Sequence, residues 1–420
     1  MNAIQRLGRW SRQRQTDFLI GALLIVVALL CHARYLLPTG LVFATEGDSF
    51  RQILPNQILF QRMLDASDIF WSWSFGLGGD AFTELSYAGT TSLFTYLQFG
   101  LRHVFGATGT DLFTALNWKL AMSILRLWLA MTLLYALLRK ERQKPLYALI
   151  GALAYGCAPW FLYRAILFDF MTDVYVLMPL VALAYARYQE TGRWTGLSIT
   201  VALLVGTNLY FGYIACIYFA SLFLISTFQK GMAFGEYLRR MAKLLGICIL
   251  GVLLAAVALL PSANGILSSD RTVANAQLQW IPHADTLRGL FAQLFLGNGK
   301  FGLPLVCFLA LYLKKGDLDE QTQKRTLLAV LWLVLLLIPA TASLMNGLSY
   351  ETPRWHFVVI FSVACALPGW LHALERHGDI PWWKLAAPFS QNTSMSRAFG
   401  YPAATRETSS VPTESANCAV

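Results

Sequence analysis

A chain of 420 residues that is 56% hydrophobic and only 13% charged has too little polar surface to enclose a soluble core of its size. Its formal net charge of +10 does not mark a nucleic-acid binder, because the cations sit in clusters at the ends of apolar runs. Those runs recur from Phe18 to Leu371, are rich in Leu and Ala, and lack the alternation of an outer-membrane strand. Lipid offers the backbone no hydrogen bonds, so the expectation is an all-α polytopic membrane protein.

In chain order, Arg6, Arg9, Arg12 and Arg14 precede a first span expected over 18–37. Val42 and Ala44 resemble a signal-peptide cleavage site, but the apolar run continues through Tyr35 to Leu37, which favours a retained anchor. The next long run, 113–138, is followed by Arg139, Lys140, Arg142 and Lys144. With both basic clusters cytoplasmic, the residues between, about 38–112, form a large first external loop. Within it, Thr91 to Phe105 is a short apolar stretch containing Arg102 and His103, so it reads as a helix lying in the membrane interface.

Further spans are expected near 146–163, 172–186, 195–209, 211–228, 244–260, 301–313, 327–345 and 355–371, about ten in all, with the N-terminus cytoplasmic. Arg187 with Arg193, then Lys230, Arg239, Arg240 and Lys243, then Lys314, Lys315, Lys324 and Arg325 all fall on the cytoplasmic side of that scheme. Residues 1–371 then make a transmembrane domain, and 372–420 hold an interfacial anchor around Pro381, Trp382, Trp383 and Lys384 and a Ser/Thr-rich tail expected to be disordered. The seven cysteines include no C-x-x-C pair and read as packing residues, and no repeat of fixed period supports a two-halved transporter.

Ionisable residues near lipid are costly and point to a role or a partner. Glu46 and Asp48 stand two apart beside Gly47, where the first span leaves the membrane. A carboxylate there can take a proton from an acceptor hydroxyl or hold a divalent metal; a capping or turn aspartate is the plainer reading. Gly76-Leu-Gly-Gly79 lacks the Lys-Ser/Thr of a Walker loop, and its neighbours Trp71, Trp73 and Phe75 suit either a phosphate- or sugar-binding backbone or a tight interfacial turn. Arg164, Arg271 and Arg354 fall outside the cytoplasmic clusters, where the charge bias depletes arginine. A lipid-linked phosphate would explain them, as would ion pairs with Asp169, Asp173 or Glu351. The six histidines form no zinc-hydrolase pattern.

Glu46-Gly-Asp48-Ser, Gln57, Trp73-Ser-Phe-Gly-Leu-Gly-Gly-Asp80, Glu84-Leu-Ser-Tyr87 and Thr91-Ser together resemble the bacterial YfhO-like membrane protein family. Tyr163-Arg164, Asn208-Leu-Tyr-Phe211, Leu260-Pro-Ser262 with Asp270-Arg271, and Asn346-Gly-Leu-Ser-Tyr350 with Arg354-Trp355 follow in the family's order. The resemblance implies a type C glycosyltransferase architecture, with a polyprenyl-phosphate-linked sugar as donor and a cell-envelope glycan such as a teichoic acid as acceptor. It would make Asp48 the catalytic carboxylate and Glu46 the second candidate. Arg164, Arg271 and Arg354 would bind the donor phosphate, and Asp80, Glu84 and Tyr87 the substrate more broadly. No nucleotide sugar is implied, and a divalent metal is left open. Members of the family usually continue through further spans, so a short variant or a lost reading frame is expected here. The competing reading is a transporter or flippase of a lipid-linked intermediate, which should show ionisable residues or broken helices within several spans.

Overall fold

The computed structural model describes residues 3–38, 40–268, 279–295, 302, 313–348 and 352–377. The chain divides into two units, 1–373 and 374–420, and the second contributes only the last turn of the final helix to the described residues. Helices dominate: α1 (Ala3–Cys31), α2 (Ala33–Leu36), α3 (Leu54–Asp65), α4 (Ala81–Glu84), α5 (Leu93–Val104) and α6 (Leu112–Lys140) come first. They are followed by α7 (Pro145–Gly156), α8 (Pro159–Leu167), α9 (Asp173–Thr191), α10 (Thr195–Thr207), α11 (Leu209–Thr227), α12 (Phe234–Leu254) and α13 (Ala256–Leu267). The described remainder is α14 (Ala284–Phe295), α15 (Glu320–Leu336), α16 (Pro339–Met345) and α17 (His356–His377).

Five helical stretches are long and apolar enough to cross a bilayer: Leu112–Lys140, Pro145–Leu167, Asp169–Thr191, Leu209–Thr227 and His356–Arg376. Two bent pairs raise the number to seven if each is one span, against the ten or so expected. Gln15–Cys31 and Thr195–Thr207 are apolar but shorter, and the expected span at 301–313 lies outside the described residues apart from 302 and 313. The two bends are departures from the expected continuous spans. α12 and α13 meet at 76° around Ala255, and α15 and α16 at 99° where Ile338 is extended and Pro339 opens the next helix. Proline there has no amide to continue the ladder and holds its predecessor out of the helical region.

α6 is the hub, packing against α1, α7 and α9; its C-terminal half does so through an apolar stripe that includes Leu127, Met131, Leu134 and Leu138. Between α7 and α9, Tyr155 and Tyr175 stack with centroids 4.0 Å apart, and each hydroxyl donates to the other's carbonyl, at 2.9 and 3.0 Å. Burial of two phenols this way satisfies both polar tips while keeping their rings in the core. One end of the bundle gathers basic loops. Lys140 pairs with Glu190 at 2.5 Å, Arg139 with Asp17 at 3.1 Å, and Arg325 with Glu141. The Lys140–Glu190 and Arg325–Glu141 pairs border a cavity of about 430 Å³ also lined by Arg142, Ser226 and Lys324. The clusters around 139–144, 190 and 324–325 thus share one end, as the charge pattern requires.

Between α2 and α6 the chain forms one turn of π-helix (Ser49–Ile53), α3, a minimal hairpin, α4 and α5. In the hairpin Trp71 lies opposite Asp80 and Ser72 opposite Gly79. α5 exposes Leu93, Tyr96, Leu97 and Val104, while Phe94 and Arg102 are buried. Arg102 donates to Gln61 Oε1 at 2.5 Å and to the Thr108 carbonyl, and lies 3.5 Å from Asp65, so it ties α5 to α3.

Candidate functional site: an exposed acidic turn on a buried charge network

Gly47 takes φ of +85°, a conformation that costs glycine little, and its carbonyl accepts from the Arg51 amide at 2.8 Å as the chain enters the π-helical turn, which the Leu54 amide closes on the Ser49 carbonyl. Asp48 begins this turn with its side chain exposed and capping nothing, and Glu46 is exposed two residues before it. The capping role does hold at Asp80. Its carboxylate accepts from the Thr83 amide at 3.0 Å and starts α4.

Ser49, the next residue, is buried. Its Oγ donates to the Ile166 carbonyl at 2.8 Å and accepts from Lys119 Nζ at 2.9 Å, while Nζ also donates to the Ile166 carbonyl at 2.7 Å. Ile166 belongs to the last turn of α8, where carbonyls lack helical partners and a cation is favoured. The helix that ends there also carries Arg164.

Lys119, Ser123 and Arg126 fall at i, i+4 and i+7, on one face of α6. Ser123 Oγ is 2.8 Å from His32 Nε2. Arg126 Nε donates to Asp173 Oδ1 at 2.6 Å, and its Nη1 lies 3.5 Å from Asp169 Oδ2. Ser92 Oγ donates to the other Asp173 oxygen, and Gln57 Nε2 donates to Asp169 Oδ1 at 2.6 Å. Lys119 is 2% exposed, Arg126 and Asp169 3% each, and Asp173 1%. Two cations and two carboxylates make the group formally neutral, which offsets the several kcal/mol that each unpaired buried ion would cost.

This network bears on two sequence readings. The expected span at 113–138 carries Lys119 and Arg126 inward. Of the two explanations offered for Arg164, an ion pair with Asp169 or Asp173 does not form, because both carboxylates face Arg126. The i, i+4, i+7 spacing of Lys119, Ser123 and Arg126 was the available signal.

Arg164 is 6% exposed, with its guanidinium 5.3 Å from the Tyr163 ring centroid and 5.8 Å from that of Trp160. Its Nε has no hydrogen-bond partner among the described residues. Arg354 acts on it electrostatically and lies 5.8 Å from the Tyr210 ring, whose hydroxyl donates to Asn346 Oδ1 at 3.0 Å. Among the described residues neither arginine is ion-paired to a carboxylate; Glu351 and Arg271 lie outside the described residues. Two guanidinium groups within electrostatic range of each other, with no carboxylate partner among the described residues, suit an anionic oxygen ligand such as phosphate.

Tyr87 links to the acidic turn, because its hydroxyl accepts from Gln52 Nε2 at 2.9 Å. Its carbonyl accepts from Asn208 Nδ2 at 3.1 Å, and Asn208 Oδ1 caps α11 at the Phe211 amide, also at 3.1 Å. Glu84 is exposed at the end of α4, and neither it nor Asp80 contacts Asp48 by a hydrogen bond among the described residues. The Gly76–Gly78 stretch has three successive positive φ values and lifts Leu77 to 96% exposure, beside Trp71 and Trp73 packed edge to face at 5.7 Å. That geometry is an apolar hairpin tip. Among the described residues no group of three or more His, Cys, Asp or Glu side chains gathers to hold a metal ion, and Glu46 with Asp48 supplies only two carboxylates.

The fold and these sites define a multi-pass helical membrane protein with an exposed acidic turn fastened to a buried charge network. Residues 18–396 match the family described as bacterial membrane protein YfhO, and the chain belongs to that family. It is similar to the Bacillus subtilis (strain 168) protein named uncharacterized protein YfhO, at 23% identity over 376 residues that cover 86% of this chain. The match covers 42% of that relative, so the chain spans about two fifths of its length.

Proposed function

We propose that this protein is a glycosyltransferase of type C architecture, moving a sugar from a polyprenyl-phosphate donor to a cell-envelope glycan such as a teichoic acid. The observation that carries the reading is the tie between the exposed Asp48 turn and the helix of Arg164, made through Ser49, Lys119 and the Ile166 carbonyl. Asp48 accepts the proton of the acceptor hydroxyl as that oxygen attacks the anomeric carbon. The bond from that carbon to the phosphate oxygen breaks, and the polyprenyl phosphate leaves with its charge matched by Arg164 and Arg354, with Arg271 a third candidate. Glu46 is the alternative base, while Tyr87, Glu84 and Asp80 line the approach. In this scheme about ten spans cross the cytoplasmic membrane, the N-terminus is cytoplasmic, and the 38–112 segment works outside, where a lipid-linked donor replaces a nucleotide sugar.

A second reading has an observation of its own. The bends of 76° and 99° and the buried charges on α6 and α9 are features that a flippase of a lipid-linked intermediate would use. Purified protein in vesicles, supplied with radiolabelled polyprenyl-phosphate sugar and acceptor glycan, separates the two. Label entering the glycan supports the transferase. Intact donor that changes leaflet with no label in the glycan supports the flippase and overturns the first reading.

A further inference from the structure

We propose that Lys119 is a positioning residue that clamps both ends of the acidic turn onto the arginine-bearing helix; this rests on the transfer reading above. Lys119 is one of the most deeply buried ionisable groups in the protein, and two of its three N–H donors are accounted for by Ser49 Oγ at 2.9 Å and the Ile166 carbonyl at 2.7 Å. Its ammonium also lies 6.0 Å from the ring centroid of Phe43, which is buried just before the acidic stretch. Phe43 and Ser49 therefore bracket residues 44–48, and one cation holds them both. Lys119 touches neither Glu46 nor Asp48 among the described contacts, so it acts through the backbone that carries them. Ile166 sits two residues after Arg164, so the same cation sets the distance between the carboxylates and the phosphate-binding arginine.

The chemistry explains why a lysine is buried at this point. A chain turn displaced by about 1 Å from a reacting hydroxyl costs on the order of a hundredfold in rate, while leaving ground-state binding little changed. A helix C-terminus with an orphan carbonyl and a serine hydroxyl offers two acceptors, and an ammonium has donors for both. Asp169, within electrostatic range of Lys119, supplies the counter-charge. A purely electrostatic role for Lys119, as partner of Asp169 alone, would leave Ser49 irrelevant to the rate.

The test compares Lys119→Met, Ser49→Ala and the double variant in full-length protein at matched folded amounts, by sugar transfer and by amide hydrogen exchange over residues 44–53. The expected result is a kcat lower by roughly 10- to 100-fold in Lys119→Met with the donor KM within about twofold. Ser49→Ala should fall in the same direction, the double variant should be no slower than Lys119→Met, and exchange over 44–53 should rise in all three. Wild-type kcat in Ser49→Ala, or unchanged exchange in Lys119→Met, overturns the proposal. Should Lys119→Met fail to fold, Ser49→Ala, which removes a single hydroxyl, decides it. Should the native protein transfer no sugar, the transfer reading falls by itself, and the exchange data still decide whether the clamp exists.

Discussion

Replacing Arg126 by Met removes the cation at the centre of the buried network and leaves its neighbours in place. Asp173 then keeps only its bond from Ser92, while Asp169 keeps Gln57 and the field of Lys119. Truncating one partner of a buried pair costs about 3–5 kcal/mol, and the compensation by Lys119 puts this case near 3 kcal/mol. That is more than a hundredfold in the folding equilibrium. Asp173→Asn on its own removes the charge but keeps the volume and an acceptor for Ser92. The double variant should therefore be less destabilised than the sum of the two by about 2 kcal/mol. Reversible unfolding in mixed micelles, followed by tryptophan fluorescence, measures all four corners of the cycle. Additivity within about 0.5 kcal/mol, or an Arg126→Met protein as stable as the native one, would refute the argument that these charges hold one another in place.

Asn208→Ala removes the cap of α11 and leaves the Tyr87 carbonyl without its donor, for a loss of about 2–3 kcal/mol in the same unfolding measurement. Gly251→Ala puts a methyl carbon 2.7 Å from the Ser198 carbonyl oxygen, where α12 crosses α10 and a backbone atom cannot yield; about 1–3 kcal/mol should be lost.

Apolar run length located most of the helices, because burial in lipid forces helix and charged residues end it. The expected 113–138 is Leu112–Lys140, and 211–228 is Leu209–Thr227. Run length could not locate the two bends. A span bent at Ala255 has the same composition as a straight one, although Pro339 was a readable sign for the second. The candidate site was legible where a residue stands out locally, as Asp48 does beside a glycine and as Arg164 does in an apolar segment. The Lys119, Arg126, Asp169 and Asp173 group was not, because it joins α6 to the start of α9 across more than forty residues. Sequence order alone offered the aspartates as partners for nearby Arg164, and only helix packing turns them to Arg126. Asp80 shows the converse case, a motif carboxylate whose visible work is to cap four residues.

The most direct test of the central claim is the rate of sugar transfer from a polyprenyl-phosphate donor by Asp48→Asn against the native protein at equal folded amounts. Because Asp48 is exposed and its side chain caps nothing, the substitution should leave stability within about 0.5 kcal/mol. The account predicts that kcat then falls by roughly 10²- to 10⁴-fold, the contribution of a general base. Transfer by Asp48→Asn at the native rate would contradict it and take the acidic turn out of the chemistry.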